Sequence, residues 1–326
     1  MTMSNQPKLV TIFGGSGFVG RHIVRALAKR GYRIRVAVRR PDLAFHLQPL
    51  GNVGQISAVQ ANLRFRSSVD AAVKGSDYVI NCVGILFAKG RNTFESVQDF
   101  GARAVAEATR AAGAKLIHIS AIGADTDSES VYAASKARAE KAIHEILPEA
   151  IIMRPSIIFG PEDNFFNKFA AMARFAPALP LIGGGKTAFQ PVFVGDVAEA
   201  VARGVDGKLE TGKTYELGGP EILTFREILE MILEETDRER PLVSIPFGVA
   251  SLIGSISSMV PFVDPPLTAD QVELLKTDNV VSQEAADAGL TLDGMGISPT
   301  LASAIIPTYL VRHRPHGQYS RSGKVA

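Results

Sequence analysis

The sequence predicts an α/β fold in which a doubly wound parallel sheet is followed by a smaller C-terminal subdomain. Short β-branched runs alternate with helical patterns over the first 155 residues, which is the rhythm of βαβ units and a parallel sheet. A glycine-rich loop also joins the first of these runs directly to the first helical pattern. With 326 residues, 46% of them hydrophobic, the chain can bury a full core.

The predicted elements follow in order. The strands are Leu9–Phe13, Ile34–Val38, Ile56–Val59, Tyr78–Cys82, Leu116–Ser120 and Ile151–Met153. Helices are predicted around the apolar stripe Ile23, Val24, Leu27 and Ala28, which ends at Gly31, and over Ala102–Ala112 and Ala133–Leu147. A capping box from Thr224 to Glu227 opens a later amphipathic helix.

The domain boundaries follow from where this rhythm changes. Residues 1–155 are predicted to form the doubly wound domain. Residues 156–308, which begin with a proline- and glycine-rich region, are predicted to form a smaller subdomain interleaved with the last strands of the sheet. Residues 309–326 contain no acidic residue and are predicted to be a basic, extended tail.

Composition excludes several classes of protein. The single cysteine, Cys82, rules out an internal disulfide framework and a cysteine-cluster zinc site, and no other metal-binding spacing is present. The net charge of +2 hides an asymmetry, because the first 41 residues contain nine basic and no acidic side chains. We expect no signal peptide and no transmembrane helix, since the first apolar run is short and leads straight into glycines.

The glycine-rich loop predicts a phosphate-binding element. Its spacing is Gly14-x-x-Gly17-x-x-Gly20, between the first strand and the first helix. Glycines permit a tight turn and close backbone approach, and the helix N-terminus offers free N–H groups to a pyrophosphate. The predicted fold is therefore Rossmann-like and NAD(P)-binding, and the predicted cofactor contacts in this loop are Gly14, Ser16, Gly17, Phe18, Val19 and Gly20.

Arg39 and Arg40 stand at the end of the second strand, where a domain that prefers NAD usually places an acid against the ribose 2′-OH. A guanidinium attracts a 2′-phosphate and can make two charge-assisted bonds to it, whereas a carboxylate would repel it. The alternative is that these arginines are solvated surface charges. The sequence favours NADPH as the cofactor.

Further motifs occur in the same order as in a known superfamily: Asn62, Asn81 to Gly84, Tyr132 to Lys136, and Arg154 to Pro161. Together with the loop they resemble the extended or atypical short-chain dehydrogenases/reductases, which include the NAD-dependent epimerase/dehydratase family. The resemblance implies further cofactor contacts at Asn62, Leu63, Val83, Gly84, Ile119, Ser120, Tyr132, Lys136, Pro155, Ser156 and Ile157.

Tyr132 and Lys136 are four residues apart on a predicted helix, so the ammonium can lie near the phenol and favour its ionised form. The resemblance implies that Tyr132 is a general acid/base and that Lys136 binds the nicotinamide ribose. Ser120 is the corresponding catalytic hydroxyl, although Ala121 or Ile122 stands where the family usually places it. Whether the chain has any turnover of its own is therefore left open.

A stretch near the C-terminus has an unusual helix pattern. Apolar residues fall at helical spacing between Pro246 and Pro261, and the opposite face holds only small residues. The apolar set is Val249, Leu252, Ile253, Ile256 and Val260. Such a helix suits burial against another protein, an interfacial position at a membrane, or burial within this chain's own subdomain.

The paired arginines, the short interval from Ser120 to Tyr132 and the basic end together resemble a family of accessory subunits, the NAD(P)H-binding subunits of respiratory complex I, NADH:quinone oxidoreductase. The resemblance implies a non-catalytic structural or assembly role in the respiratory chain with bound NADPH. It also implies other complex I subunits as partners, with possible contact between the membrane surface or lipid headgroups and residues 246–263 and the basic tail. No nucleic acid partner is expected.

The implied location is peripheral, on the cytoplasmic side of a bacterial inner membrane or the matrix side of a mitochondrion. The alternative function is a stand-alone NADPH-dependent reductase or epimerase that uses Tyr132 as general acid/base.

Overall fold

The computed structural model describes residues 7–258 and 267–316. The strands in this part of the chain are β1 (Leu9–Phe13), β2 (Arg33–Val38), β3 (Ile56–Gln60), β4 (Tyr78–Asn81), β5 (Lys115–Ile119), β6 (Ile151–Pro155), β7 (Ile158–Phe159), β8 (Leu179–Ile182), β9 (Ala188–Phe189), β10 (Val192–Phe193), β11 (Thr214–Leu217), β12 (Leu223–Thr224) and β13 (Leu242–Ile245).

The α-helices are α1 (Phe18–Lys29), α2 (Arg66–Val73), α3 (Phe100–Ala111), α4 (Val131–Ile146), α5 (Phe166–Phe175), α6 (Val194–Val205), α7 (Phe225–Glu235), α8 (Phe247–Ser258), α9 (Ala269–Leu274), α10 (Gln283–Asp287) and α11 (Ala302–Leu310). Turns of 3-10 helix occupy Pro41–Leu50, Gly183–Gly185 and Val311–His313, and a π-helical turn at Glu95–Asp99 precedes α3. No helix among the described residues is both long enough and apolar enough to cross a membrane.

The described residues form two compact units. The first is drawn from Met1–Pro155, Gly195–Leu217 and Gln283–Ile297, and the second from Ser156–Val194, Gly218–Ser282 and Ser298–Ala326. The chain therefore returns twice to the first unit after leaving it at Pro155.

The first unit is a seven-stranded parallel sheet with the strand order β11-β6-β5-β4-β1-β2-β3. The predicted doubly wound α/β fold is confirmed. β1 lies between β2 and β4, and Phe13 pairs in register with Ala37 on one side and Asn81 on the other. The order of the strands reverses at β1, and ligands of open α/β sheets bind at the carboxyl ends of the strands at such a point.

Helices cover both faces of this sheet. Leu116 of β5 packs in one apolar cluster with residues of α2, α3 and α4. The next residue, Ile117, points to the other face, where a Cβ added at Gly204 of α6 would lie 2.8 Å from its Cδ1 atom. Gly204 thus lets α6 approach the sheet closely.

Helix α1 forms as its apolar spacing predicts. Ile23, Val24 and Leu27 are fully buried, and Gly31 ends the segment with a φ of +81°. Arg30, which precedes Gly31, is tied to other parts of the first unit. Its guanidinium pairs with Glu199 at 2.7 Å and with Asp206 at 3.2 Å, which ties the end of α1 to α6 and the residue that follows it.

The second unit has a core rich in aromatic side chains. Phe165 packs edge-to-face against Phe166, Phe169 and Phe225, with ring centroids 5.2–6.2 Å apart. Helix α7 also contributes to this core. It begins with the predicted capping box, in which the side chains of Thr224 and Glu227 bond each other's backbone N–H groups. This unit also holds three two-stranded sheets.

The described part of the apolar stripe of α8 is not buried within the second unit, so of the three predicted environments the partner protein and the membrane surface remain. Val249, Leu252 and Ile253 are 50%, 62% and 47% exposed. The small residues are the ones that pack inward: Ala250 is buried, and a Cβ at Gly254 would lie 2.6 Å from the Ala269 nitrogen. The close approach of two backbones explains why this face lacks larger side chains. The side chain of Ile256 and all of Val260 lie outside the described residues.

The C-terminal segment is ordered further than the sequence suggested. Tyr309 and Leu310 end α11, and a 3-10 turn follows where an extended tail was predicted. The Tyr309 hydroxyl donates to Asp163 at 2.7 Å, Arg312 donates to the Pro161 carbonyl at 3.0 Å, and Arg238 donates to the His313 carbonyl at 3.1 Å. These contacts hold the segment within the second unit. Residues 317–326 of the predicted tail lie outside the described residues.

Candidate functional site

The glycine loop occupies the carboxyl edge of β1, where the sheet reverses its strand order. Gly14 has a φ of +76°, a conformation that favours glycine. A Cβ at Gly20 would lie 2.3 Å from the Gly14 carbonyl oxygen, so the first turn of α1 and the loop can touch only because neither residue has a side chain there. The close approach of Gly20 to the Gly14 carbonyl explains why the motif needs glycines at these two positions.

The N-terminus of α1 is open to a ligand. Gly17 is its N-cap residue and supplies no side-chain cap to the first N–H groups of the helix. The Arg21 guanidinium donates to the Ser16 carbonyl at 3.3 Å and to the Gly17 carbonyl at 3.3 Å. These bonds tie the end of the loop to the first turn of α1. Phe18, Val19 and Gly20 form the first turn of the helix. The arrangement suits an anion held by backbone N–H groups and the helix dipole.

The two arginines after β2 have different surroundings. Arg39 is exposed, and its Nη1 atom donates to the Asn92 side-chain oxygen at 3.4 Å. Arg40 pairs with Asp42 at 2.9 Å on the surface, and this bond lowers the pKa of the Asp42 carboxyl. Arg40 therefore already has an acidic partner within the chain.

Asn62 and Leu63 follow β3. The Asn62 side-chain oxygen accepts the backbone N–H of Arg64 at 3.2 Å and thus shapes the turn into α2. Leu63 is buried in the core against Gly101. Asn62 and Leu63 together fix the path of the chain after β3, beside the carboxyl end of its neighbour β2.

Val83 and Gly84 follow β4 and lie next to the glycine loop. The Asn81 side-chain oxygen accepts the Val83 N–H at 3.1 Å, and a Cβ at Gly14 would meet the Val83 Cγ2 atom at 3.1 Å. A Cβ at Gly84 would lie 3.4 Å from the Lys136 ammonium nitrogen. The structure thus brings the loop, Val83, Gly84 and Lys136 into one group.

Lys136 is the central charge of this group. Ser130 caps α4 by accepting the Ala133 N–H at 3.2 Å, and the helix then carries Lys136 inward, where it is 4% exposed. Its ammonium donates to the Ile119 carbonyl at 3.0 Å and lies 5.9 Å from the centre of the Tyr132 ring. Burial lowers the pKa of Lys136 to about 8, and the Glu140 carboxylate opposes this shift.

Tyr132 and Ser120 also lie beside the carboxyl edge of the sheet. The Tyr132 ring packs edge-to-face against Phe94, with centroids 6.2 Å apart. Ser120 is buried, and its hydroxyl has no hydrogen-bond partner among the described residues. A buried hydroxyl without a partner is costly, which is consistent with a site that a ligand completes.

The last predicted contacts divide between the two units. Pro155 ends β6 in the first unit, where its carbonyl accepts the Ile122 N–H at 3.0 Å. Ser156 and Ile157 belong to the second unit. There the Ser156 hydroxyl lies 2.7 Å from the Asn279 side-chain oxygen, and the Ile157 carbonyl accepts the Val192 N–H at 2.9 Å.

Several buried polar residues were missed as parts of this region. Glu140 lies one turn beyond Lys136 and accepts three hydrogen bonds from the Arg154 guanidinium, the shortest at 2.6 Å; Arg154 also reaches Glu216 at 3.5 Å. The sequence signal was available in part, because Tyr132, Lys136 and Glu140 repeat at a spacing of four. Gln98, on the π-helical turn, accepts the Ser135 hydroxyl and donates to the Ile85 carbonyl at 3.0 Å.

His118 and Cys82 behave as buried groups. Burial and the nearby Lys136 ammonium lower the pKa of His118 to about 3, so the ring is neutral in the folded protein. Burial raises the pKa of the Cys82 thiol to about 12, which leaves no reactive thiolate. No cluster of three metal-ligating side chains occurs in the described part of the chain.

Comparison with known proteins places this geometry in context. The family model described as the NAD dependent epimerase/dehydratase family matches residues 10–218. A solved structure with a similar fold is the DesIV dTDP-glucose 4,6-dehydratase of Streptomyces venezuelae with NAD bound, with a TM-score of 0.68, 17% identity, and coverage of 93% of this chain and 95% of that one.

Two curated relatives are informative. Subunit 9 of the NADH dehydrogenase [ubiquinone] 1 alpha subcomplex, mitochondrial, of Arabidopsis thaliana is 34% identical over 321 residues, covering 95% of this chain and 79% of the relative. The ceramide reductase of Caulobacter vibrioides is 39% identical over 174 residues, or 53% of this chain and 54% of the relative. The fold and the matched family are those of NAD(P)-binding proteins, and this chain is a member of the NAD dependent epimerase/dehydratase family.

Proposed function

We propose that this chain is an accessory subunit of respiratory complex I that binds NADPH and has a structural or assembly role. The observation that carries the proposal is the similarity to the plant subunit over 95% of the chain, because it includes the second unit as well as the sheet. A shared dinucleotide-binding fold would account for similarity over the sheet alone. The other subunits of the complex are the partners that this role requires.

The proposed cofactor contacts are those that the family resemblance implies, and the geometry of the glycine loop and of Lys136 supports them. The open N-terminus of α1 and the backbone of Gly14, Ser16 and Gly17 receive the pyrophosphate. Asn62 and Leu63 lie at the adenine end, and Val83, Gly84 and Ile119 line the path towards Lys136. Lys136 binds the nicotinamide ribose, and the unpaired Ser120 hydroxyl finds its partner on the cofactor. Ser156 and Ile157, which follow Pro155 directly in the sequence, are the remaining proposed contacts.

We propose NADPH rather than NADH because Arg39 and Arg40 provide positive charge after β2, where a carboxylate would select the ribose hydroxyl. When bound, the nicotinamide can accept or donate a hydride. The role proposed here does not use that capacity. A ligand held at a concentration 1,000 times its dissociation constant adds about 4 kcal/mol to the free energy of unfolding, which is a sufficient reason for a structural subunit to retain it.

Two features support binding without turnover. Ser120 is buried, and Ala121 and Ile122 follow it where the family usually has its catalytic hydroxyl. Loss of one hydrogen-bond donor to a developing oxyanion commonly costs 10²- to 10³-fold in rate. Tyr132 packs against Phe94, and with Lys136 it serves the cofactor rather than a reaction.

We further propose that the second unit contacts an anionic membrane surface on the cytoplasmic side in a bacterium, or the matrix side in a mitochondrion. The exposed face of α8 presents Val249, Leu252 and Ile253, and the helix bears no charge. Arg174, Arg238 and Arg240 lie close together in the same unit. Burial lowers the pKa of Arg238, and the charges of Arg240 and Arg174 lower it further. An exposed apolar helix face suits the interface of a bilayer, and basic residues in the same unit favour an anionic one.

The second candidate is a stand-alone NADPH-dependent reductase or epimerase. The observation that favours it is the identity of 39% to the ceramide reductase, together with the presence of both Tyr132 and Lys136. In this case Tyr132 would act as general acid/base, because the adjacent ammonium stabilises its ionised form.

Purification from the native host in mild detergent separates the two candidates. Co-migration with NADH:quinone oxidoreductase, with NADPH recovered from the isolated complex, is the expected result. A free pool of the protein that oxidises NADPH when a carbonyl substrate is added would support the enzyme instead. The variant Tyr132→Phe provides a second criterion, since it should leave assembly and bound NADPH largely intact. Loss of assembly with the cofactor still bound would count against the structural role.

A further inference from the structure

Basic side chains converge at the carboxyl ends of β2 and β3. These strands are neighbours, with Val38 paired to Gln60 in register. Arg39 follows the first strand and Arg64 the second. The Arg39 Nη1 atom donates to the Asn92 side chain at 3.4 Å, and the Arg64 Nη1 atom donates to the Arg91 carbonyl at 3.3 Å. Two guanidinium groups from different strands therefore meet at one turn.

That turn, Lys89–Asn92, is tightly closed. The backbones of Lys89 and Asn92 exchange hydrogen bonds of 3.0 and 3.1 Å across Gly90, which has a φ of +58°. The turn adds two more basic residues, Lys89 and Arg91, to the neighbourhood. The turn itself contains no carboxylate.

Arg64 is held in place without an acidic partner. Its Nε atom lies 3.4 Å from the Asn62 side-chain oxygen, its guanidinium lies 5.9 Å from the Phe65 ring centre, and its Nη1 atom is fixed by the turn. Across residues 7–258 and 267–316 neither Arg39 nor Arg64 forms an ion pair with a carboxylate, whereas Arg40 pairs with Asp42. An ordered guanidinium among other cations is suited to a multiply charged oxyanion, which accepts two bonds from its planar fork.

We propose that Arg64 and Arg39, aligned by the turn Lys89–Asn92, bind a phosphomonoester on the adenosine ribose of the cofactor, and that Arg64 determines the preference for this phosphate. The inference rests on the proposed function, because it assigns the phosphate-selecting residues of the same dinucleotide site. It differs from the sequence prediction in adding Arg64 and in giving Arg40 a smaller part, since Asp42 already engages it.

Direct titration of the protein, purified free of nucleotide, with NADPH and with NADH tests the proposal. Arg64→Gln should weaken NADPH binding about 10- to 100-fold, because charge-assisted hydrogen bonds are worth about 1.5–3 kcal/mol. NADH binding should change less than about two-fold. Arg66→Gln is the matched control. It removes the same charge two residues away, but Arg66 pairs with Asp70 and Glu107, so the ratio of the two affinities should not change.

The outcomes distinguish this inference from the proposed function. If the unmodified protein binds neither dinucleotide, the proposed function itself fails. If it prefers NADPH and Arg64→Gln behaves like Arg66→Gln, or weakens both dinucleotides equally, the inference about Arg64 is overturned and the proposed function stands. Should Arg64→Gln fail to fold, Arg64→Lys keeps the charge without the fork. A selective loss of NADPH affinity in that variant supports the proposal, and an unchanged affinity ratio overturns it.

Discussion

Near the carboxyl edge of the sheet in the first unit, buried polar groups lack hydrogen-bond partners among the described residues, whereas the buried carboxylate of Asp163 in the second unit is well satisfied. The second unit also has two buried atoms without a described partner, Glu221 Oε2 and His313 Nδ1. The Ser120 hydroxyl and both ring nitrogens of His118 have no partner within the described residues. Asp163, by contrast, accepts the Tyr309 hydroxyl at 2.7 Å and the Asn167 N–H at 3.1 Å. Unsatisfied buried groups are expensive and tend to mark sites that a ligand completes.

The two units use their polar groups differently. The first unit leaves donors and a buried ammonium facing the proposed cofactor path. The second unit uses its hydrogen bonds to hold its own C-terminal segment and exposes apolar side chains on α8 instead. Changes at the residues of the first unit that face the proposed cofactor path should therefore alter nucleotide binding, and changes at the contact of Tyr309 with Asp163 or on the exposed face of α8 should alter stability or docking.

The largest expected effect is that of Gly20→Ala. The added Cβ would lie 2.3 Å from the Gly14 carbonyl oxygen and 2.6 Å from the Gly15 Cα atom, and backbone atoms cannot rotate away. We expect a loss of about 3 kcal/mol or more in the free energy of unfolding, and loss of NADPH binding in any folded fraction. Chemical denaturation and nucleotide titration provide the measurements.

Gly31→Ala is the control for this variant. Gly31 also has a positive φ, +81°, but nothing lies within 4 Å of its added Cβ. It should cost only about 1–2 kcal/mol and leave NADPH affinity unchanged. Equal effects of the two variants on affinity would refute the claim that loop contact, and not general stability, governs binding.

A smaller effect is expected from Tyr309→Phe in the second unit. It removes the hydroxyl that donates to the buried Asp163 carboxylate, and losing such a bond costs about 1–3 kcal/mol. Denaturant unfolding should report that loss while the dissociation constant for NADPH stays within about two-fold. A large fall in NADPH affinity would show that the contrast between the units is wrong.

The pH dependence of nucleotide binding tests the role assigned to Lys136. The folded pKa of this lysine is lowered to about 8, so its ammonium is present below that pH and is lost above it. The dissociation constant for NADPH should therefore rise as the pH passes about 8. Glu140→Gln removes the carboxylate that raises the lysine's pKa, so the rise should begin at lower pH, with binding about two- to ten-fold weaker at pH 8.

Glu145→Gln is the matched control for the pH experiment, because Glu145 lies on the same helix but is exposed. Glu145→Gln should leave the pH midpoint of NADPH binding unchanged. A midpoint that is identical in all three proteins would mean that a group other than Lys136 controls the titration.

The smallest effect on folding is expected in α8. Substituting Leu252 and Ile253 with Gln should change the free energy of unfolding by less than about 1 kcal/mol, because both side chains are largely exposed. Cosedimentation with phosphatidylcholine vesicles that contain phosphatidylglycerol should nevertheless fall several-fold. Vesicles of phosphatidylcholine alone provide the control, and unchanged sedimentation of the variant would contradict the proposed membrane contact.

Local patterns predicted the sheet and the loop well, because both depend on short-range periodicity and on glycine spacing. The strand β1 has the predicted bounds, and β2 to β6 differ by one or two residues at their ends. Strand β11 was not predicted, because it joins β6 from 62 residues further along the chain and its short run resembles many others.

The parts of the site that the sequence did not predict are tertiary pairings. Arg154 meets Glu140 and Glu216 across two strands and a helix, and Arg64 meets a turn 27 residues away. The helix α8 shows the same limit. Its spacing was recognised, but the buried face could be known only from the close approach of Gly254 to the backbone at Ala269.

The ion pairs of Arg30 have a consequence for biosynthesis. Its partners, Glu199 and Asp206, are synthesised 169 and 176 residues after Arg30 itself, and β11 and the segment Gln283–Ile297 come later still. A nascent chain that has reached Pro155 therefore carries the nucleotide loop without the edge strand of its sheet or the anchors of α1. The first unit can be completed only after residues 156–194 and 218–282 of the second unit have been synthesised.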